Sequence, residues 1–249
     1  MVDDLLSLRM LIVAAVPAQR ELWQKGAAMA SLPVEFVTAE DSAGAASVLK
    51  KIGTDICVID GALPEQDRAA VAAAARKIEP APLLFASVAP GVKRPGDVDA
   101  ALARPKNAEE ACKLVEICVR AKIPARVLIV DDSSTMRSIV RKILSASRFA
   151  LDPHEVSEGA KALDELESGR FDLVFLDYNM PGLNGIETLK QIKRTTPGVS
   201  VVIMTSAVSD EVIRRARAAG ALAFLKKPFY PADIDTVLER HFGLQAALS

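Results

Sequence analysis

Residues 171–185, FDLVFLDYNMPGLNG, contain the pattern that decides the fold. The apolar run at residues 173–176 is typical of a central parallel strand covered on both faces. It ends at a single carboxylate, Asp177, and Pro181 and Gly182 then favour a turn. Ligands of open α/β sheets bind beyond the carboxyl ends of the strands, which predicts a chemical role for Asp177. Taken alone, an Asp after a strand is more often a cap of the following turn than a functional residue.

A second strand-like run, at residues 127–130, ends in two adjacent carboxylates, Asp131 and Asp132. Capping the following helix needs one side-chain oxygen, so a cap does not explain the pair. If two neighbouring parallel strands present Asp132 and Asp177 at one sheet edge, their oxygens form an anionic pocket. Such a pocket suits Mg²⁺, which prefers carboxylate ligands.

Two further strand-like runs end in polar side chains. Residues 199–206 lead to Thr205, and residues 223–229 carry Lys227 directly before Pro228. Together the four runs supply an acid pair, an acid, a hydroxyl and an ammonium group. A carboxylate can attack phosphorus, a metal ion can neutralise the developing charge, and the hydroxyl and ammonium groups can bind phosphoryl oxygens. The set therefore indicates phosphoryl chemistry.

These motifs resemble the receiver domain of two-component response regulators, closest in style to the chemotaxis type, over residues 126–242. The resemblance implies a flavodoxin-like (βα)5 fold, an α/β architecture whose parallel five-stranded sheet has the order 2-1-3-4-5. It also implies that Asp177 is the phosphoacceptor. The implied ligands of Mg²⁺ are Asp131, Asp132, Asp177 and the backbone carbonyl of Asn179.

The same resemblance implies that Thr205 and Lys227 act beside Asp177 in catalysis and that the Lys227–Pro228 peptide bond is cis, as X-Pro bonds can be. Thr205 and Phe224 would be the switch residues. Phe224 stands where the family often has Tyr. Without a hydroxyl group, its side chain can swing inward but cannot form a hydrogen bond there.

The first half of the chain repeats the pattern of the second. Asp60 ends a strand-like run and precedes Pro64 by four residues, as Asp177 precedes Pro181, and both pairs are offset by 117 residues. We therefore expect two flavodoxin-like domains, at residues 1–122 and 126–249. The short linker between them contains Pro124, which should limit their relative orientations.

The first copy has lost most of the charged residues of the second. The residues concerned are Ala14, Ala15 and Arg104, in place of Asp131, Asp132 and Lys227. Only Asp60 and Ser87 keep matching residue types. Because little would hold Mg²⁺ there, we expect a degenerate receiver in which Asp60 is a structural turn residue.

The interval between the fourth and fifth strands also differs between the copies. Five residues are missing from Ser87 to Arg104, relative to the interval from Thr205 to Lys227. Residues 89–96 are rich in Pro and Gly, which break helices. We expect a loop there, with the fourth helix of the first copy shortened or absent.

Composition excludes several classes of protein. The chain has 249 residues, of which 25% are charged. Its formal net charge is -1, and this lack of a basic excess argues against a general nucleic-acid binder. The apolar run at residues 10–16 is far shorter than the roughly 20 residues that span a bilayer. Three cysteines without paired spacing suit a reducing compartment. We expect a cytoplasmic protein without membrane insertion.

Only residues 243–249 follow the last predicted helix, so we expect no output domain. The predicted function is that of a response regulator in a phosphorelay. Asp177 would accept a phosphoryl group, with Mg²⁺, from a sensor histidine kinase or a histidine phosphotransfer protein. The output would be contact with a downstream protein or homodimerisation. Enzymatic activity would be limited to self-catalysed phosphoryl transfer and autodephosphorylation.

Three alternatives stay open. The protein could be a phosphate sink or relay intermediate, or an unswitched scaffold. It could also be a phosphatase of the haloacid dehalogenase type, which uses a strand-end Asp as nucleophile. Those enzymes place a second Asp two residues after the first, where this chain has Asn179.

Overall fold

The computed structural model of the protein describes residues 8–89, 91–92, 94–206 and 209–244. These residues form two compact units. Unit 1 extends to Ile123 and also includes residues 242–244, and unit 2 is Pro124–His241. In this part of the chain every helix is too short or too polar to cross a bilayer.

Unit 1 is a parallel five-stranded sheet flanked by helices. Its sheet has the order β2-β1-β3-β4-β5. The strands are β1 (Leu8–Val13), β2 (Val34–Ala39), β3 (Ile56–Asp60), β4 (Leu83–Val88) and β5 (Ala100–Ala103). The helices are α1 (Pro17–Met29), α2 (Ser42–Ile52), α3 (Glu65–Ala75) and α4 (Ala108–Lys122).

Unit 2 has the same architecture, and the order of its strands along the sheet is β7-β6-β8-β9-β10. The strands are β6 (Ala125–Val130), β7 (Leu151–Val156), β8 (Leu173–Asp177), β9 (Ser200–Thr205) and β10 (Ala223–Lys226). The helices are α5 (Ser134–Ser145), α6 (Gly159–Ser168), α7 (Gly185–Thr195), α8 (Asp210–Ala218) and α9 (Pro231–His241). The predicted fold, two flavodoxin-like units with parallel sheets of order 2-1-3-4-5, is confirmed.

The central strands are apolar because helices cover both faces of each sheet. Every residue of β3 and β8 is buried. β8 ends in a turn that leads into α7, where Asn184 and Glu187 form a reciprocal capping box. The loop that follows Asp177 is therefore fixed at its far end by the start of a helix.

The repeat is also visible in individual hydrogen bonds. In unit 1 the Asp55 side chain accepts a hydrogen bond from the Arg9 amide at 2.9 Å. In unit 2 the Asp172 side chain accepts one from the Arg126 amide at 2.8 Å. Arg126 and Asp172 each lie 117 residues after their counterparts Arg9 and Asp55. The two units therefore join their first and third strands in the same way.

The backbone register corrects one residue match between the units. The amide of Arg104 donates to the carbonyl of Val88 at 2.8 Å, as the amide of Lys227 donates to that of Thr205 at 2.7 Å. Val88, not Ser87, therefore occupies the position of Thr205. The expected match of Ser87 was wrong because it relied on residue type, and a slip of one residue in a strand moves a side chain to the other face.

The same correction enlarges the deletion in unit 1. Arg104 follows Val88 by 16 residues, whereas Lys227 follows Thr205 by 22, so six residues are missing rather than five. Between β4 and β5 the described residues, 89, 91–92 and 94–99, contain no helix. The prediction that the helix between these two strands is shortened or absent is confirmed for these residues.

Gly185 allows a close contact between the start of α7 and the end of β8. A Cβ atom there would lie 2.4 Å from the carbonyl oxygen of Asp177 and 2.7 Å from the Cα of Tyr178. We expect Gly185→Ala to lower the free energy of unfolding of unit 2 by about 1–3 kcal/mol, because backbone atoms would have to move. Urea unfolding monitored by circular dichroism measures this change.

Gly198→Ala is the matched control for this prediction. A Cβ atom at Gly198 meets nothing within 4 Å. The control should change stability by less than about 0.5 kcal/mol. Equal losses in the two variants would contradict the close contact at Gly185.

Candidate functional site

The acidic residues come together because their strands are neighbours. β6 pairs with β8 in parallel register, with Val130 opposite Leu176. The next residues, Asp131 and Asp177, therefore leave the sheet side by side at its carboxyl edge. This is the edge at which the sequence predicted the functional site.

Three carboxylates converge there. One oxygen from each of Asp131, Asp132 and Asp177 lies within 4.8 Å of the others. Asp131 is 1% exposed and Asp177 is 4% exposed, while Asp132 is exposed to solvent. The site therefore combines two buried acids with one that faces water.

Lys227 joins the two buried acids. Its Nζ donates to Oδ2 of Asp131 at 2.6 Å and to Oδ1 of Asp177 at 2.7 Å. The Lys227–Pro228 peptide bond is cis, as the family resemblance implied. The ammonium group therefore places one positive charge between the two buried carboxyl groups.

Burial and neighbouring charges shift the pKa values of Asp177 and Lys227. Burial raises the pKa of Asp177 above its usual value, the hydrogen bond and charge of Lys227 oppose the rise, and Asp131 and Asp132 add to it. Burial alone would lower the pKa of Lys227, but the hydrogen bonds to Asp131 and Asp177 outweigh it and the pKa is raised. The raised pKa of Lys227 keeps its ammonium group charged.

The donor set fits a hard divalent cation. All three converging side chains offer carboxylate oxygens, the ligands that Mg²⁺ prefers. The exposed position of Asp132 leaves room for the water molecules that Mg²⁺ retains.

The remaining predicted residues lie around this cluster. Thr205 is fully buried at the end of β9, one residue beyond Met204, the partner of Asp177 in the sheet. Asn179 is exposed in the loop after β8. Phe224 on β10 lies opposite Ile203, partly buried against the core of unit 2.

Unit 1 has a different arrangement at the equivalent edge. The Arg104 guanidinium forms an ion pair with the Asp60 carboxylate, which also accepts a hydrogen bond from the Ala62 amide at 3.0 Å. Ala14 and Val88 are buried where unit 2 has an acid and a hydroxyl. Within the described ranges, the one group of three or more metal-binding side chains is that of unit 2.

Sequence reasoning missed a pair of arginines at equivalent positions. Arg137 on α5 donates to the backbone carbonyls of Asp131 and Asp132, and Arg20 on α1 donates to those of Ala14 and Ala15. The two arginines are separated by 117 residues, so the repeat offset could have revealed them. They looked like ordinary exposed helix residues because their partners are backbone atoms.

Comparisons with known proteins agree with this geometry. A family model described as the response regulator receiver domain matches residues 127–239. Chemotaxis protein CheY-3 of Vibrio cholerae serotype O1 is 38% identical over 119 residues, which cover 47% of this chain and 91% of that protein. The cyclic di-GMP phosphodiesterase response regulator RpfG of Xanthomonas campestris pv. campestris is 32% identical over 117 residues, 46% of this chain and 31% of that protein.

A solved structure extends the likeness in fold to unit 1. It is described as a probable two-component system response regulator/GGDEF domain protein. It aligns with 98% of this chain and 100% of its own, with a TM-score of 0.58 and 22% identity, and so supports the fold alone. The receiver match in the second half, over nine-tenths of the chemotaxis protein, identifies this chain as a member of the response regulator receiver family.

Proposed function

We propose that the protein is a phosphorylation-switched response regulator in which Asp177 accepts a phosphoryl group from a sensor histidine kinase or a histidine phosphotransfer protein. The observation that carries this proposal is the bridge from Lys227 to Asp131 and Asp177, with Asp132 within metal-binding distance. These side chains share one sheet edge, where they would serve as the acceptor acid, the cation for the phosphoryl oxygens and the acidic pocket for Mg²⁺.

Asp131, Asp132, Asp177 and the backbone carbonyl of Asn179 would hold the ion. Bound there, Mg²⁺ would supply charge neutralisation for the transferring phosphoryl group. In unit 1 no such set exists among the described residues, and Arg104 already neutralises Asp60. This contrast supports the proposal that unit 1 is a degenerate receiver.

The reaction is a substitution at phosphorus. A carboxylate oxygen of Asp177 forms a bond to phosphorus while the P–N bond of the phosphohistidine donor breaks, and the imidazole leaves with the electron pair and takes up a proton. Lys227 would then bind the phosphoryl oxygens, to which the Thr205 hydroxyl would also donate. Switching would follow from this new position of Thr205.

We assign the output to the face formed by α8, β10 and α9. Phosphorylation would draw Thr205 toward the phosphoryl group, and Phe224 would repack, which shifts the population of this face between two states. A cleft of about 320 Å³ lies between these elements, and its lining includes Phe224, Arg217 and Arg240. Binding of a downstream protein or of a second copy at this face would carry the signal.

Unit 1 would serve as a fixed docking or dimerisation module. Its described residues contain no helix between β4 and β5, so it lacks much of the face that would switch in unit 2. The proposed domains are residues 1–122 and 126–249, and the cytoplasm is the proposed compartment. Partner binding that survives deletion of unit 1, together with a monomeric unit 1, would remove this assignment.

Labelling with a small phosphodonor tests the proposal. The full chain is incubated with acetyl phosphate, with and without Mg²⁺, and intact mass and peptide mapping locate the product. We expect a single phosphoryl group per chain, on Asp177, formed only with Mg²⁺. Continuous turnover of a phosphomonoester would favour the phosphatase alternative, and absence of Mg²⁺-dependent labelling would overturn the proposal.

A further inference from the structure

Arg137 ties the acidic loop of unit 2 to the rest of the fold. Its Nη1 donates to the carbonyl oxygen of Asp131 at 2.8 Å and to that of Asp132 at 3.4 Å. Its Nε donates to Oε2 of Glu155 on β7 at 3.2 Å. The side chain is 17% exposed, so these contacts are mostly shielded from water.

The charge of Arg137 is balanced by Glu155. Glu155 also pairs with Arg141, whose hydrogen bond is the main cause of the lowered pKa of this acid, and Arg137 lowers it further against the effect of burial. Glu155 therefore stays ionised and compensates the guanidinium. Arg137 consequently influences the acids through the position of their backbone more than through its charge.

Resting on the function proposed above, we infer that Arg137 is a positioning residue for the metal site. The position of the backbone limits where a side-chain carboxylate can point. Arg137 donates hydrogen bonds to the backbone carbonyls of both Asp131 and Asp132, and so limits the position of both carboxylates. Asp131 is also held through its side chain by the Ser133 amide at 2.9 Å and by Lys227. The Asp132 side chain is exposed to solvent, and the contact of Arg137 with this residue is to its backbone carbonyl.

Unit 1 has an equivalent arginine contact, but the residues that it holds are not acidic. Arg20 donates to the carbonyls of Ala14 and Ala15, to the latter at 3.0 Å, and pairs with Glu40 at 2.7 Å. The contact therefore has a structural role in both units. Only in unit 2 do the two carbonyls belong to residues with carboxylates, which allows the structural and positioning effects to be measured separately.

The experiment measures Mg²⁺ binding by calorimetry in the full chain, followed by the rate of labelling with acetyl phosphate as a function of Mg²⁺ concentration. For Arg137→Ala we expect the Kd for Mg²⁺ to rise about tenfold or more, as is typical when a residue that orients metal ligands is removed. The labelling rate at saturating Mg²⁺ should stay near that of the unsubstituted protein. Arg137→Lys should restore part of the affinity, because an ammonium group can still reach one carbonyl.

Two variants serve as controls. Arg20→Ala removes the equivalent contact in unit 1, and Arg141→Ala removes the second ion pair of Glu155. Both should leave the Kd for Mg²⁺ within about twofold of the starting value, since neither holds the acid pair. Circular dichroism and thermal unfolding record the structural cost of each change.

An unchanged Kd in Arg137→Ala, or an equal shift in Arg20→Ala, would overturn the inference. If Arg137→Ala does not fold, Arg137→Lys decides: a Kd equal to that of the unsubstituted protein would overturn it, and a raised Kd in a folded variant would support it. Failure of the proposed function has a separate signature, because the unsubstituted protein would then neither bind Mg²⁺ nor become labelled.

Discussion

Asp177→Asn is expected to reduce phosphoryl labelling of the full chain to the level seen without a donor. The amide has nearly the shape of the carboxylate but is not a nucleophile, so transfer to phosphorus cannot occur. Oδ1 of the new residue can still accept from Lys227, which bridges the site in the unsubstituted protein. The loss would therefore report chemistry rather than unfolding. Intact mass spectrometry after incubation with acetyl phosphate and Mg²⁺ measures it.

Asp60→Asn is the matched control in unit 1. Asp60 is 5% exposed and paired with Arg104, and its unit has Ala14 and Ala15 in place of the acid pair. This variant should be labelled to the same extent as the unsubstituted protein. Mg²⁺-dependent label mapped to Asp60 in the Asp177→Asn variant would contradict the assignment of unit 1 as a degenerate receiver.

Lys227→Ala is expected to slow labelling by about a hundredfold, the usual cost of removing one donor that binds developing negative charge. It should also change the pH dependence. The hydrogen bond and charge of Lys227 lower the pKa of Asp177, so their loss raises that pKa further. Since Asp177 must be ionised to attack, labelling should then decline at a higher pH as the solution is acidified. Initial labelling rates measured over a pH series test both effects.

Lys226→Ala controls for the loss of a lysine at the end of β10. Lys226 precedes Lys227 and is exposed to solvent. Its substitution should leave both the rate and the pH dependence unchanged. If Lys227→Ala were labelled as fast as this control, the ammonium group would have no role in the reaction.

The site was predictable because of the parallel sheet. Adjacent strands end at one edge, so polar residues directly after apolar runs meet there, as Asp131, Asp177 and Lys227 do. These predictions needed only the position of each strand end. Thr205 followed from the same rule, and it lies one residue beyond the sheet partner of Asp177.

Other features depend on exact register or on irregular backbone. Ser87 was matched to Thr205 by its hydroxyl group, but the hydrogen bond from Arg104 to Val88 fixes a register one residue further along. The sequence alone offered two nearly equivalent matches in a short buried strand. The size of the deletion in unit 1 was therefore underestimated by one residue.

The role of Asp99 could not be predicted because it lies in a segment without periodic pattern. Asp99 is buried, accepts a hydrogen bond from the Leu84 amide at 2.8 Å and pairs with Arg76 at 2.6 Å. These contacts attach the loop before β5 to β4 and to the residue that follows α3, in the unit whose described residues contain no helix between β4 and β5. A carboxylate in a Pro- and Gly-rich stretch resembles a solvated loop residue until its partners are known.

The central claim is that unit 2 can gather a divalent cation at its sheet edge and that unit 1 cannot. Calorimetric titration of the full chain with Mg²⁺, compared between Asp132→Ala and Asp60→Ala, tests it most directly. We predict one binding site per chain that Asp132→Ala abolishes and Asp60→Ala leaves intact. A second site, or binding that survives in Asp132→Ala and disappears in Asp60→Ala, would contradict the claim.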